Sequence, residues 1–280
     1  LKMTAQALKS CQVYDPKTDH WDNATSLNLN HDRALHTATL LTAEGPNKGK
    51  VLVTGGVRGM VGVDVTVDWA KLLDFSKWLP FNVWYWLKIN DLKFDDLETL
   101  KSCELFDPQT GLWENATDLT FPRVLHTATP LVLESNKGRV LVAGGQDGFD
   151  NGTIIHRSYE IYDADENTWT CKSDPEGLPI PSSQHTATLL DDRTVLLVGG
   201  SAEPNAAQIY YPEDDKWALA SDFLYEPQSW HTANVLPGKQ DEEGKVLVAG
   251  GGQRRSELFG PPPKSGIKHR RALGGVKPPL

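Results

Sequence analysis

The hydrophobic and polar positions of the chain fall into one phrase that recurs. Its clearest copy runs from Arg123-Val-Leu-His-Thr-Ala-Thr to Gly138-Arg-Val-Leu-Val-Ala-Gly-Gly145. The same phrase joins His36-Thr-Ala-Thr39 to Gly49-Lys-Val-Leu-Val-Thr-Gly-Gly56, and His185-Thr-Ala-Thr188 to Thr194-Val-Leu-Leu-Val-Gly-Gly200. A fourth copy joins His231-Thr-Ala-Asn234 to Gly244-Lys-Val-Leu-Val-Ala-Gly-Gly251. Each copy predicts two short strands, a turn between them and a glycine pair after the second.

A second phrase alternates with the first. Cys11-Gln-Val-Tyr14 is stopped by Asp15-Pro16 and followed by Trp21. The pattern returns as Cys103-Glu-Leu-Phe-Asp-Pro108 with Trp113, Tyr159-Glu-Ile-Tyr-Asp163 with Trp169, and Gln208-Ile-Tyr-Tyr-Pro212 with Trp217. Ser256-Glu-Leu-Phe259 is a fifth copy, without a tryptophan. Aspartate bonds its own backbone and proline presets a turn dihedral, so each copy reads as strand, turn, strand. Together the phrases make a four-strand cycle of roughly 50 residues, the signature of a kelch-type β-propeller blade.

The glycine pair, the Tyr-Asp turn and the spaced tryptophan resemble kelch motifs as found in the central propeller of galactose oxidase and glyoxal oxidase relatives. The resemblance spans the chain apart from residues 57–100 and the tail. It implies an all-β fold: a β-propeller of four-stranded antiparallel kelch-type blades, an incomplete ring or fragment with an aromatic-rich insertion. The propeller is expected over 1–260, with the insertion at 57–100 between the second and third strands of one blade. Residues 261–280 form a Pro/Lys/Arg-rich tail, read as a solvated arm. Residues 1–30 either complete the blade begun at 230–251 and close a four-bladed ring, or belong to a larger ring. The fragment reading is preferred, because kelch rings usually carry more than four blades.

The insertion interrupts the pattern with four of the nine tryptophans. Its composition is too apolar for disorder, and long loops in compact domains are usually functional. Val67–Leu73 is compatible with a helical turn or two, and Phe81–Leu87 with a strand. In one reading the aromatics pack on the propeller; in the other Trp78, Trp84, Tyr85 and Trp86 form a binding surface. Successive strand residues alternate in direction, so Trp84, Tyr85 and Trp86 are not all on one face.

Composition adds exclusions. The chain has 280 residues, 39% hydrophobic and 23% charged, as a globular protein does. Its net charge of −9 argues against general nucleic-acid binding, despite Lys268-His-Arg-Arg271 in the tail. No apolar run approaches the ~18 residues of a membrane span. The three cysteines are too few and scattered for a disulfide framework; Cys11 and Cys103 hold equivalent strand positions and read as packing residues. Three sequons, at Asn23, Asn115 and Asn151, favour an extracellular or secretory-pathway glycoprotein, with a cytoplasmic location as the alternative.

Candidate chemistry centres on the repeated histidines His36, His126, His185 and His231. Imidazole ligates metals, yet symmetry puts these four on different blades, and local bonding that orders each first strand is the favoured reading. The family resemblance implies copper-radical chemistry, which needs two tyrosines, one cross-linked to cysteine, and two histidines. His231 matches a copper-ligand histidine, but Trp230 stands where the family has a ligand tyrosine, and no cysteine motif matches the cross-link. No catalytic residue, metal site or cofactor is therefore assigned. The expected function is a non-catalytic binding or structural module for a protein partner or glycan, contacted through loops and the insertion. The alternative is a diverged or incomplete copper-radical carbohydrate or alcohol oxidase.

Overall fold

A computed structural model describes residues 2–22, 28–67, 87–93, 97–132, 138–150, 152–220, 224–236, 245–251 and 256–260. All regular structure among them is β. Three N-terminal strands, β1 (Lys2–Gln6), β2 (Val13–Asp15) and β3 (His20–Asp22), precede four repeated units. Unit one holds β4 (Thr37–Leu40) and β5 (Val51–Thr54). It continues, after β6 (Val57–Arg58), β7 (Met60–Val67), β8 (Leu87–Lys93) and β9 (Glu98–Thr99), with β10 (Cys103–Asp107) and β11 (Leu112–Ala116). Unit two is β12 (Thr127–Pro130), β13 (Arg139–Ala143), β14 (Tyr159–Asp163) and β15 (Thr168–Lys172). Unit three is β16 (Thr186–Leu189), β17 (Val195–Val198), β18 (Ala207–Tyr211) and β19 (Lys216–Leu219). Unit four is β20 (His231–Val235), β21 (Val246–Gly250) and β22 (Ser256–Phe259).

Units one to three are four-stranded antiparallel sheets whose spatial order follows chain order, and unit four is a three-stranded sheet of the same design. Successive units adjoin through their first strands, β4 beside β12, β12 beside β16 and β16 beside β20. The second strands are apolar without interruption because both faces are buried. Val140 and Val142 of β13 join Leu52 and Leu105 of unit one in one cluster. Leu141 and Ala143 turn the other way, to Val195, Leu197 and Tyr210 of unit three. Leu196 and Val198 repeat the pattern against Val246, Val248 and Phe259 of unit four.

The outer hairpins follow the Asp-turn-Trp phrase. The aromatic on the third strand lies directly opposite the tryptophan on the fourth in Tyr14–Trp21, Phe106–Trp113, Tyr162–Trp169 and Tyr210–Trp217. Their ring centroids are 5.2, 5.0, 4.9 and 5.1 Å apart, the range of tilted aromatic pairs. The turn closes on a left-handed residue: Asp19, Gly111, Asn167 or Asp215. Where the strand aromatic is tyrosine, its hydroxyl donates to that residue's side chain, Tyr14 to Asp19, Tyr162 to Asn167 and Tyr210 to Asp215. Phe106 has no hydroxyl, and its turn closes on Gly111, which has no side chain to receive one.

The glycine pairs are where units lock together. A Cβ on Gly144 would meet Ser182 O at 2.2 Å and His185 Cε1 at 2.9 Å, both from unit three. Gly55 and Gly199 are covered in the same way by Arg123 O and His126, and by Gln228 O and His231. The second glycine of each pair gives way to its own unit: Gly145 to Val124 O and His126 Cβ, Gly56 to Ala34 O and His36 Cβ. The backbone N–H groups of Gly56, Gly145 and Gly200 then donate to Arg123 O, Ser182 O and Gln228 O of the following unit.

The alternative in which residues 1–30 complete unit four is not seen among the described residues: β22 holds the third-strand position on β21, and β2 and β3 pair with each other. No closed ring is formed among the described residues. The insertion is in part a sheet: β7 pairs β8 on one edge and β1 on the other, and β6 pairs β9 at its base. Val67 belongs to β7 and Leu87 to β8, and the rest of the helical segment expected to Leu73 and of the strand expected from Phe81 lies outside the described residues. β1 carries no repeat phrase, so its addition to the insertion was not foreseen. The tail 261–280 lies outside the described residues.

Gly144→Ala is expected to cost on the order of 3 kcal/mol or more, from the clash with Ser182 O added to left-handed strain. Gly49→Ala, with φ of 82° and nothing within 4 Å, should cost only about 1 kcal/mol. Urea unfolding of both variants measures the difference.

Candidate functional site

The residue before each repeated histidine is not glycine, yet it is left-handed in all four units: Leu35 (φ 54°), Leu125 (φ 58°), Gln184 (φ 60°) and Trp230 (φ 59°). This conformation costs a side-chain-bearing residue about 1–2 kcal/mol, and neighbouring units hold it in place. Gln184 N donates to Leu125 O, and Trp230 N to Gln184 O, each at 3.1 Å. Consecutive units therefore set these residues side by side along an arc. Leu35 is 46% exposed and Trp230 61%.

The histidines themselves turn inward. His126 Nε2 is hydrogen-bonded to Thr37 Oγ1 at 3.0 Å and Thr54 Oγ1 at 3.1 Å, both of unit one. His185 Nε2 meets Thr127 Oγ1 at 3.0 Å, and His231 Nε2 meets Thr186 Oγ1 at 2.9 Å. The rings of His126, His185 and His231 thus bond to the unit before their own, where local bonding is expected from the sequence. Burial pushes the imidazole of His185 down to about 3, with the charge of His231 second. Burial, then Arg123 and His185, holds His126 well below its ordinary range. His36 and His231 are also lowered, burial being the main cause.

Beneath the arc, charge is buried and paired. Arg123 Nη2 donates to Glu160 Oε1 at 2.7 Å, and Nη1 to Gly144 O at 2.6 Å. Glu160 also receives the N–H groups of Thr120 and Phe121. Unit one repeats the set with Arg33, Glu104 and Gly55, and with the N–H groups of Asn30 and His31. Side chains of both pairs are fully buried. Unit three is neutral: Gln208 bonds both backbone groups of Ile180 and the hydroxyl of Ser182. These groups orient the segment before each first strand in units one to three.

The insertion springs from this same region. Ala34, next to Leu35, is bridged to Val57 at the start of β6. Val124, next to Leu125, is bridged to Gln146 in the equivalent connection of unit two. Trp78, Trp84, Tyr85 and Trp86, the aromatics singled out as a binding surface, lie outside the described residues. So do Asn23 and Asn151. Asn115 is exposed on β11, where its Oδ1 accepts a bond from Asn30 Nδ2 at 2.8 Å.

The copper set implied by family resemblance does not fit these residues. His231 is committed to Thr186, Trp230 points outward, and no three His, Cys, Asp or Glu side chains gather in a metal-holding group among the described residues. All three cysteines are free thiols. Cys103 is buried, which pushes its thiol up to about 12. Among the described residues no helix is long and apolar enough to cross a membrane. No protein-family model matches the chain, and none of the curated proteins does.

The arc residues and the buried ion pairs were not singled out from sequence. The signal for the arc is the position before His-Thr-Ala, which varies as Leu, Leu, Gln, Trp. The signal for the pairs is arginine three residues before histidine in units one and two, matched by Ser-Cys-Glu and Ser-Tyr-Glu.

The lowered histidines give stability a defined pH dependence. Their unfolded value is near 6.5, so the unfolded chain binds more protons between that value and the lower folded one. Stability is therefore fully present above about pH 6.5 and falls as the solution is acidified. From pH 7.5 to 5.0 the loss from His185 should be about 2 kcal/mol, and His126 should add to it in the same direction. His185→Gln should flatten the urea-unfolding profile by its share.

Proposed function

We propose that the chain is an arc of a kelch-type β-propeller acting as a non-catalytic binding module. It takes a protein partner or a glycan on the face where Leu35, Leu125, Gln184 and Trp230 emerge beside the insertion. The fold part rests on units of one topology meeting through their first strands. The functional part rests on one observation: recurring polar side chains are spent between and within units, while Leu35 and Trp230, each directly before a repeated histidine, are exposed. A half-exposed leucine and a largely exposed tryptophan there suit an apolar partner surface or a sugar ring.

Trp230→Ala and Leu35→Ser should each weaken binding of the labelled chain, to glycan arrays or displayed polypeptides, about tenfold or more. Their unfolding midpoints should stay within a degree or so of the parent, as expected for exposed positions. Unchanged binding in both variants would remove the arc from the site.

The same reading places the chain in the secretory route, on the exposure of Asn115. Treating protein made in eukaryotic secretory cells with a peptide N-glycosidase should lower the mass of the fragment bearing Asn115. An unmodified Asn115 there would count against that placement.

A further inference from the structure

Unit four keeps the acid of the buried ion pair but not its arginine. Glu257 occupies the place of Glu104 and Glu160 on the third strand, and its carboxylate is held in the same way. Oε2 accepts Tyr225 N at 2.8 Å and Oε1 accepts Glu226 N at 3.0 Å. In units one and two the corresponding Oε1 also receives an arginine Nη2 at 2.7 Å. At the arginine position unit four has Gln228, three residues before His231. Gln228 is fully buried, yet its Oε1 and Nε2 have no hydrogen-bond partner, and Glu257 has no ion pair among the described residues. A buried amide with neither end bonded is unusual, and a buried carboxylate without a cation more so.

The third partner of the arginine is also in place. Arg33 and Arg123 each donate Nη1 to the carbonyl of the first glycine of the pair, Gly55 or Gly144. The counterpart in unit four is Gly250. A Cβ on Gly55 or Gly144 would strike the following unit, but one on Gly250 would meet, among the described residues, only His231 Cα, at 3.9 Å. Gly250 is exposed among the described residues.

We infer that Glu257, Gln228 and the Gly250 carbonyl form a binding site for a guanidinium group, such as an arginine side chain of a partner polypeptide. The planar fork of guanidinium matches a carboxylate and a carbonyl set side by side, as the chain's own Arg33 and Arg123 demonstrate. Glutamine is shorter than arginine and leaves an acceptor, Oε1, for one further N–H. The site is separate from the outward arc and does not depend on it.

Thermal unfolding of the full chain with methylguanidinium chloride at millimolar concentration and constant ionic strength tests the assignment, with sodium chloride as the reference. The expected result is a saturable rise in midpoint on the order of 3 °C for the parent chain. Gln228→Arg, which supplies the missing side chain internally, should raise the midpoint by itself and abolish the response. Glu257→Gln, if folded, should also fail to respond. No saturable rise in the parent, or an undiminished response in Gln228→Arg, overturns the site.

Discussion

The structure depends on a close approach: the backbone and histidine of one unit lie over the first glycine of the unit before. At Gly144 a carbonyl oxygen would stand 2.2 Å from any Cβ, so the junction tolerates no side chain there. Around that contact the other bonds fall into place. The next glycine donates its N–H across the junction, and the histidine ring reaches a threonine of the preceding first strand. Sheets that would otherwise slide on apolar faces gain a fixed register, because hydrogen bonds are directional where hydrophobic burial is not.

The buried ion pairs serve the same junction from within each unit. Arg123 spans the glycine carbonyl, Ser158 and Glu160, and Glu160 in turn ties down two N–H groups of the segment leading to β12. Breaking such a pair by removing one partner commonly costs about 3–5 kcal/mol, whereas replacing both can be neutral. Unit three illustrates the second route, with Gln208 and Ser182 meeting the same backbone needs without charge. Stability explains why either set occurs, but it does not explain unit four, where only half of the charged set remains.

Much of this was legible in the sequence, because the repeats carry their own controls. The strand phrases matched β4, β5, β10, β11 and their counterparts closely, since alternation, turns and glycine pairs are local signals. The Asp-turn-Trp hairpins were legible for the same reason. The partner of each histidine was not: a threonine some 58 residues away, as for His185 and Thr127, leaves no local pattern. Nor was the addition of β1 to the insertion, where pairing rests on backbone bonds that any sequence can make. Of the candidate site, Trp230 was noticed only as a residue that cannot ligate copper. Its left-handed, outward setting comes from contacts between units.

The central claim is that the repeated histidines are neutral latches between units, which leaves the outward arc free to vary. Proton NMR titration of the imidazole Cε1–H groups tests this most directly. The resonances of His126 and His185 should show no transition near pH 6.5, because burial holds both imidazoles below their ordinary range. Titration of His126 or His185 near 6.5 would contradict the account.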